Sequence, residues 1–276
     1  MSNSKRFILV HGASHGAWCW QRVTPFLQSM GHEVIAVDLP GRNGKGNPGW
    51  GLSLQDYIED LAQTVDREEG KSILVGHSLA GMSISAVAEK LPHKIERLIY
   101  LSAWVSMHGK NLAQLGAENA GSELHHAIKV SWLRGLVTIK AEGFKQAFCA
   151  DCSDEDAAWA KAQLLPEAFR TALGRIHLTA GRFGSVPTSY IRCAKDRALT
   201  LALQQRMLES IECKSVFTLE SSHSPFLSMP EQLAKTLHLA VQVEPSAHCD
   251  TAGPMRCQGF GGVFNVDVTR GPRGGT

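Results

Sequence analysis

Apolar residues fall into short runs separated by glycine- and proline-marked turns, and amphipathic stretches lie between them. Phe7 to Val10 is an apolar run, ended by the loop His11-Gly12-Ala13-Ser14-His15-Gly16. A helix is predicted from about Trp18 to Met30, stopped by Gly31, and a strand from Glu33 to Val37. After a glycine-rich loop over 42–52, Ser53 is placed as a helix N-cap with Asp56 three residues on. Leu54, Tyr57, Ile58, Leu61 and Val65 then follow at helical spacing. Ser72 to Val75 is a short buried strand, Met82 to Lys90 a helix closed by Pro92, and Ile95 to Ser102 a further strand.

Strands and helices that alternate with short links predict a mostly parallel sheet covered by helices on both faces. From Trp104 to Gly184 the pattern reads as helical without clear strands. Helices are expected at Asn111–Leu115, Ser131–Ile139, Glu142–Phe148, Asp154–Leu165 and Ala168–Leu173. This stretch is expected to cap the sheet. The α/β pattern resumes with a strand at Thr188–Cys193, a helix at Leu199–Glu209, a strand at Lys214–Leu219 and a closing helix at Pro230–Val241. The predicted organisation is therefore a core made of 1–103 and 185–243, a cap insertion over 104–184, and a tail over 244–276. The tail is glycine-rich and expected to be poorly ordered, with a stray strand near 262–268.

Composition narrows this picture by exclusion. The chain has 276 residues, a hydrophobic fraction of 43% and a charged fraction of 20%, ordinary for a globular protein. A net charge of +2 carries no nucleic-acid footprint and no basic membrane-binding stretch. The first residues run directly into a strand, and no apolar run is long enough for a membrane span, so a cytoplasmic location is expected. Seven cysteines at irregular spacing argue against a disulfide framework. Cys149 and Cys152 form a lone C-x-x-C without a second pair, and are read as reduced thiols. No metal motif and no nicotinamide fingerprint is present, so no cofactor is expected.

The chemistry is concentrated in Gly76-His77-Ser78-Leu79-Ala80-Gly81. Here a strand turns sharply into a helix at a serine flanked by small residues. Such a turn lifts the hydroxyl clear of the backbone as a nucleophile. The usual G-x-S-x-G pattern is altered, with Ala80 in the last place and Gly81 one step later. A nucleophilic serine needs a base and a residue to orient that base. In this architecture the chain order is Ser, then acid, then His. Asp196 follows the strand at 188–193 and His223 follows the strand at 214–219, so Ser78, Asp196 and His223 are the candidate catalytic set. Activity is expected to fall in acid as His223 protonates and ceases to be a base. The candidate oxyanion donors are the backbone N–H groups of Leu79 and of Ala13 in the first loop. Loss of one such donor costs on the order of 3 kcal/mol of transition-state stabilisation. Gly12, Trp104, Leu115, Trp132, Leu136, Phe144 and Phe148 are the candidate substrate pocket.

The segments His11–Trp20, Gly31–Leu39 and Val75–Gly81, with the Asp196 and His223 loops, resemble the α/β-hydrolase superfamily over about residues 5–242. Within it, the chain is similar to the group of plant methylesterases and hydroxynitrile lyases and to bacterial pyrethroid-hydrolase-type carboxylesterases. Asp151–Glu155 and Leu165-Pro166-Glu167 look like the bacterial branch. The resemblance implies an α/β-hydrolase fold, a cofactor-independent serine carboxylesterase and a small-molecule ester as partner, with a homodimer left open. The lyases of the group carry a threonine and a lysine where this chain has Gly12 and Ser224, so the resemblance favours ester hydrolysis. A non-catalytic small-molecule receptor on the same fold is the other alternative.

Overall fold

The computed structural model describes residues 4–44, 48–107, 109–243 and 265–266. Its centre is a parallel sheet. The strands are β1 (Arg6–Val10), β2 (Glu33–Val37), β3 (Ser72–His77), β4 (Ile95–Leu101), β8 (Thr188–Cys193) and β9 (Ser215–Leu219), in the spatial order β2-β1-β3-β4-β8-β9. Asn265–Val266 forms a two-residue β10 beside β9, pairing Asn265 with Val216. It falls inside the stretch read as a stray strand. The rest of the 244–276 tail lies outside the described residues.

Each central strand feeds two cores, because alternate side chains leave opposite faces of the sheet. Ile8 and Val10 of β1 join Leu74, Leu98 and Tyr100 on one face. Phe7 and Leu9 join Ile73, Val75, Ile99 and Leu101 on the other. The near-continuous apolar runs thus reflect burial on both faces. The first face is covered by α2 (Leu54–Arg67) and α3 (Ala80–Lys90), the second by α1 (Thr24–Ser29) and the C-terminal helix. At the start of α2, the Ser53 N–H and hydroxyl both donate to Asp56 Oδ2, at 2.8 and 2.6 Å, which closes the capping box. The single helix read over 18–30 is instead a 3₁₀ turn, Ala17–Trp20, followed by α1. Pro25 lacks an N–H and is accommodated in the first turn of α1, where none is needed.

The insertion between β4 and β8 contains α4 (Leu112–Ala117), α5 (Leu124–Ala127), β5 (Ile128–Ser131), β6 (Leu136–Ile139), α6 (Ala141–Phe148), α7 (Asp154–Gln163) and β7 (Glu167–Ala168). Residues 131–139, read as a helix, are a hairpin instead. Ile128 pairs with Ile139 and Val130 with Val137, antiparallel, and β7 adds to β6. The β-branched content of Ile128, Val130, Val137, Thr138 and Ile139 favours this pleated arrangement. Gly135 supplies the turn, at φ 63°. Completing the chain are α8 (Leu201–Leu208), α9 (Pro225–Ser228) and α10 (Pro230–Gln242). Among the described residues no helix is long and apolar enough to cross a membrane. Five cysteines, 19, 149, 152, 193 and 213, are free thiols.

Candidate active site

All the strands of the central sheet run the same way, so the loops that leave their carboxyl ends share one rim. Ser78 follows β3, Asp196 follows β8, and His223 lies in the loop between β9 and α9. Strand β1 lies between β2 and β3, so the chain order reverses beside β3. Ligands in open α/β sheets bind at such a switch point.

Ser78 sits at φ 54°, a left-handed conformation unusual for a residue with a side chain. The bend is held from three sides. The Ser78 N–H donates to the Leu101 carbonyl at 3.3 Å, and its own carbonyl accepts from Gly81 N at 3.1 Å and Trp104 N at 3.0 Å. Gly81 explains the altered elbow pattern. A Cβ there would stand 2.2 Å from the Trp104 carbonyl oxygen, so this position needs glycine. Gly12 faces Ser78 with too little room for a side chain. A Cβ on it would be 2.8 Å from Ser78 Cβ and from His77 Nδ1.

Asp196 and His223 are buried and joined, with Nδ1 to Oδ2 at 2.6 Å. The carboxylate accepts three further hydrogen bonds. Ser102 Oγ donates to Oδ2 at 2.5 Å, and Ala198 N and Leu199 N donate to Oδ1 at 2.8 Å each. An acceptor on its Nδ1 side leaves the imidazole with a hydrogen there and a lone pair on Nε2. His223 and Ser78 border one cavity of about 290 Å³. No hydrogen bond joins the Ser78 hydroxyl to His223 or to another described residue. In unliganded enzymes that contact is often long and tightens with substrate.

Ala13 and Leu79 border the same cavity. Their backbone N–H groups donate to no described residue. Of the remaining candidate pocket residues, Trp104 and Phe148 border the cavity and Gly12 backs Ser78. The other four do not line it. Leu136 pairs with Ser131 on the outer face of the hairpin, while Ile128, Val130, Val137 and Ile139 turn inward and wall the cavity. Trp132 caps the hairpin turn, 65% exposed, with its ring edge-on to Phe169. Phe144 is stacked beneath Phe148 in the second core. Leu115 points into the first core from α4, whose Leu112, Ala113, Gly116 and Ala117 border the cavity instead.

Several contributors were not legible in advance. Ser102 shares Asp196 with the imidazole. Asp151, in the insertion between β4 and β8, accepts from both Ser222 N, at 3.0 Å, and the Ser222 hydroxyl, and so braces the His223 loop. His77 Nε2 donates to the His223 carbonyl at 2.9 Å. Burial holds the His77 imidazole well below the usual histidine range, which keeps it neutral. His15 also borders the cavity, and burial lowers its pKa to about 4. The only advance signals were proximity to the serine for His77 and to strand ends for Ser102. Among the described residues no cluster of side chains is suited to hold a metal ion.

This arrangement is that of an α/β-hydrolase: a strained serine after the strand beside the switch point, an acid and a histidine after later strands, and free N–H groups beside the serine. The alpha/beta hydrolase family profile matches residues 7–236, and the chain belongs to that family. It is 32% identical over 268 residues to a pyrethroid hydrolase of Sphingobium wenxiniae, covering 92% of this chain and 95% of that one. It is also 32% identical over 259 residues to methyl jasmonate esterase 1 of Vitis vinifera, with 86% and 97% covered. A crystal structure of a pyrethroid hydrolase superposes with a TM-score of 0.78 at 28% identity, covering 87% of this chain and 98% of that one. Polyneuridine aldehyde esterase gives 0.73 at 26% identity, with 86% and 98% covered. Arabidopsis thaliana relatives named as chloroplastic methylesterases are longer. The chain spans 65% of one that is 28% identical to it, and 58% of another at 29%. With relatives of this kind, the chain is a methylesterase- or pyrethroid-hydrolase-like α/β-hydrolase.

Proposed function

We propose that the protein is a serine carboxylesterase acting on small to medium hydrophobic esters. Ser78 attacks the ester carbonyl while His223 Nε2 takes its proton. Asp196 fixes the imidazole tautomer and stabilises the imidazolium that forms. The Ala13 and Leu79 N–H groups receive the oxyanion. His223 returns the proton to the leaving alcohol, then activates water to release the acid from Ser78. The reading rests on one observation above the others: a buried Asp196–His223 pair opens on the same cavity as a serine held in a strained bend. The hydrophobic side chains along that cavity support an apolar substrate. Reduced thiols are consistent with the cytoplasmic location we infer.

Burst release of p-nitrophenol from p-nitrophenyl acetate, abolished in Ser78→Ala, is the expected result. Turnover that survives Ser78→Ala would refute this assignment. The lyase alternative is disfavoured because among the described residues no lysine or arginine borders the cavity to receive cyanide. Cyanide release from mandelonitrile would reverse that choice. Saturable binding of an ester without release of acid would instead favour the receptor.

A further inference from the structure

Glu167 is a buried carboxylate in the cavity wall, contributed by the cap. Both its oxygens are held. Oε2 accepts from Arg42 Nη2 at 2.5 Å and Ser14 N at 2.8 Å. Oε1 accepts from the Tyr57 hydroxyl at 2.5 Å, whereas the one hydrogen of the Thr171 hydroxyl goes to the Ala168 carbonyl at 2.7 Å. Three donors, one of them a guanidinium, hold this carboxylate on the protein. Its contacts lead to the backbone of the first loop.

Ser14 N belongs to the peptide that joins Ala13 to Ser14. The opposite edge of that peptide, the Ala13 carbonyl, accepts from His15 Nδ1 at 2.8 Å. The plane is therefore pinned at both edges, by Glu167 on one side and His15 on the other. Arg42 adds a second hold, donating Nε to the His15 carbonyl at 2.7 Å and Nη1 to the Pro166 carbonyl at 3.1 Å. Ser14 meanwhile sits at φ 63°, which a side-chain-bearing residue adopts only under such constraint. The peptide before it is also tied, with the Gly12 carbonyl accepting from His11 Nδ1 at 2.8 Å. The Ala13 N–H belongs to this Gly12–Ala13 peptide, which meets the Glu167-held plane at the Ala13 Cα; Ala13 borders the cavity and its N–H has no acceptor among the described residues.

We infer that Glu167 is a positioning residue that couples the seating of the cap to the aim of the Ala13 oxyanion donor. The inference rests on the esterase reading above. Removal of the carboxylate frees the Ser14 N–H and lets the strained loop relax, which turns the donor off its target. Ground-state binding in the cavity does not depend on that aim, so the effect falls on the transition state.

The test compares Glu167→Ala, Glu167→Gln and wild type on a p-nitrophenyl ester, with two inhibitors. A trifluoromethyl ketone adds Ser78 and carries an oxyanion, whereas the matching methyl ketone serves as a ground-state probe. In Glu167→Ala, kcat should fall by about 10- to 100-fold, short of complete loss of one donor. KM should stay within threefold, trifluoromethyl ketone affinity should fall in step with kcat, and methyl ketone affinity should hold. Glu167→Gln should recover most of the loss. Its amide oxygen can face Arg42 and Ser14 N, and its NH₂ can face the hydroxyls of Tyr57 and Thr171. Unchanged kcat in Glu167→Ala overturns the inference, as does equal weakening of both ketones, which would mark general collapse of the pocket. If Glu167→Ala does not fold, Glu167→Asp decides. It keeps the charge but withdraws it by one methylene, so equal loss of both ketones, or no loss, overturns the inference. Failure of the esterase reading would look different, because wild type would then show no Ser78-dependent burst.

Discussion

Replacing Asp196 with Asn changes almost no volume, yet the structure dictates a large effect. Oδ1 receives two backbone N–H groups, from Ala198 and Leu199. An amide NH₂ in that place would set buried donors against donors. The Asn oxygen must therefore take the Oδ1 position, and the NH₂ must face His223 Nδ1. Ser102 can rotate its hydroxyl to accept. The imidazole then holds its lone pair on Nδ1 and its hydrogen on Nε2, the wrong tautomer for accepting a proton from Ser78. Restoring the working tautomer would turn a 2.6 Å charge-assisted contact into two facing donors. A hydrogen bond to a charged group contributes about 1.5–3 kcal/mol, and leaving a buried donor unsatisfied costs about 1–3 kcal/mol more. Together these amount to about 3–6 kcal/mol, or a fall in kcat of about 10²- to 10⁴-fold. The assay is steady-state hydrolysis of a p-nitrophenyl ester near neutral pH, with thermal melting as the control for folding. A folded Asp196→Asn protein that keeps kcat within fivefold of wild type would refute the tautomer argument.

Ser102→Ala removes one of the two donors on Asp196 Oδ2 and should lower kcat by about tenfold, from the weight of a charge-assisted hydrogen bond. Unchanged kinetics would show that Ser102 is dispensable. Gly81→Ala drives a Cβ into the Trp104 carbonyl and should lower stability by about 2 kcal/mol or more, read from urea melts. A wild-type midpoint would count against the close approach. Acid should destabilise the fold through its buried neutral imidazoles. His15 titrates at about 4 and His11 at about 3 when folded, lowered first by burial, against an ordinary 6.5. Below pH 6.5 the unfolded chain takes up protons that the fold refuses, so stability falls from pH 6.5 toward pH 4. The His15 share is on the order of 3 kcal/mol. Denaturant melts at pH 7 and pH 4.5 should show this loss, and His15→Gln should reduce it. An identical pH slope in that variant would dismiss His15 as a contributor.

The parallel sheet was legible because its strands are apolar runs between glycine loops; the elbow turn pointed to Ser78, and strand ends in the order serine, acid, histidine pointed to Asp196 and His223 as its candidate partners. Where pattern failed, the cause was a short element with mixed signals. Residues 131–139 carry apolar positions that suit helical spacing as well as strand alternation, and Gly135 was the cue that settles the turn. Four of the candidate pocket residues lie away from the cavity for a related reason. Trp132, Leu136, Phe144 and Leu115 are as hydrophobic as the residues that border the cavity, and only strand register and helix face decide which way each one points. Ser102, Asp151 and Glu167 could not be read ahead. Their partners lie 94, 71 and 125 residues away along the chain, at Asp196, Ser222 and Arg42.

The β5–β6 hairpin has a further consequence. Its pairing is local, and none of its strands belongs to the central sheet. Exchanging Ile128, Val130, Val137 or Ile139 therefore reshapes the cavity without touching the strands that carry Ser78, Asp196 and His223. The bore of the cavity can thus be altered while those three strand ends stay in place, save at Val137, which stands opposite Glu167 in β7.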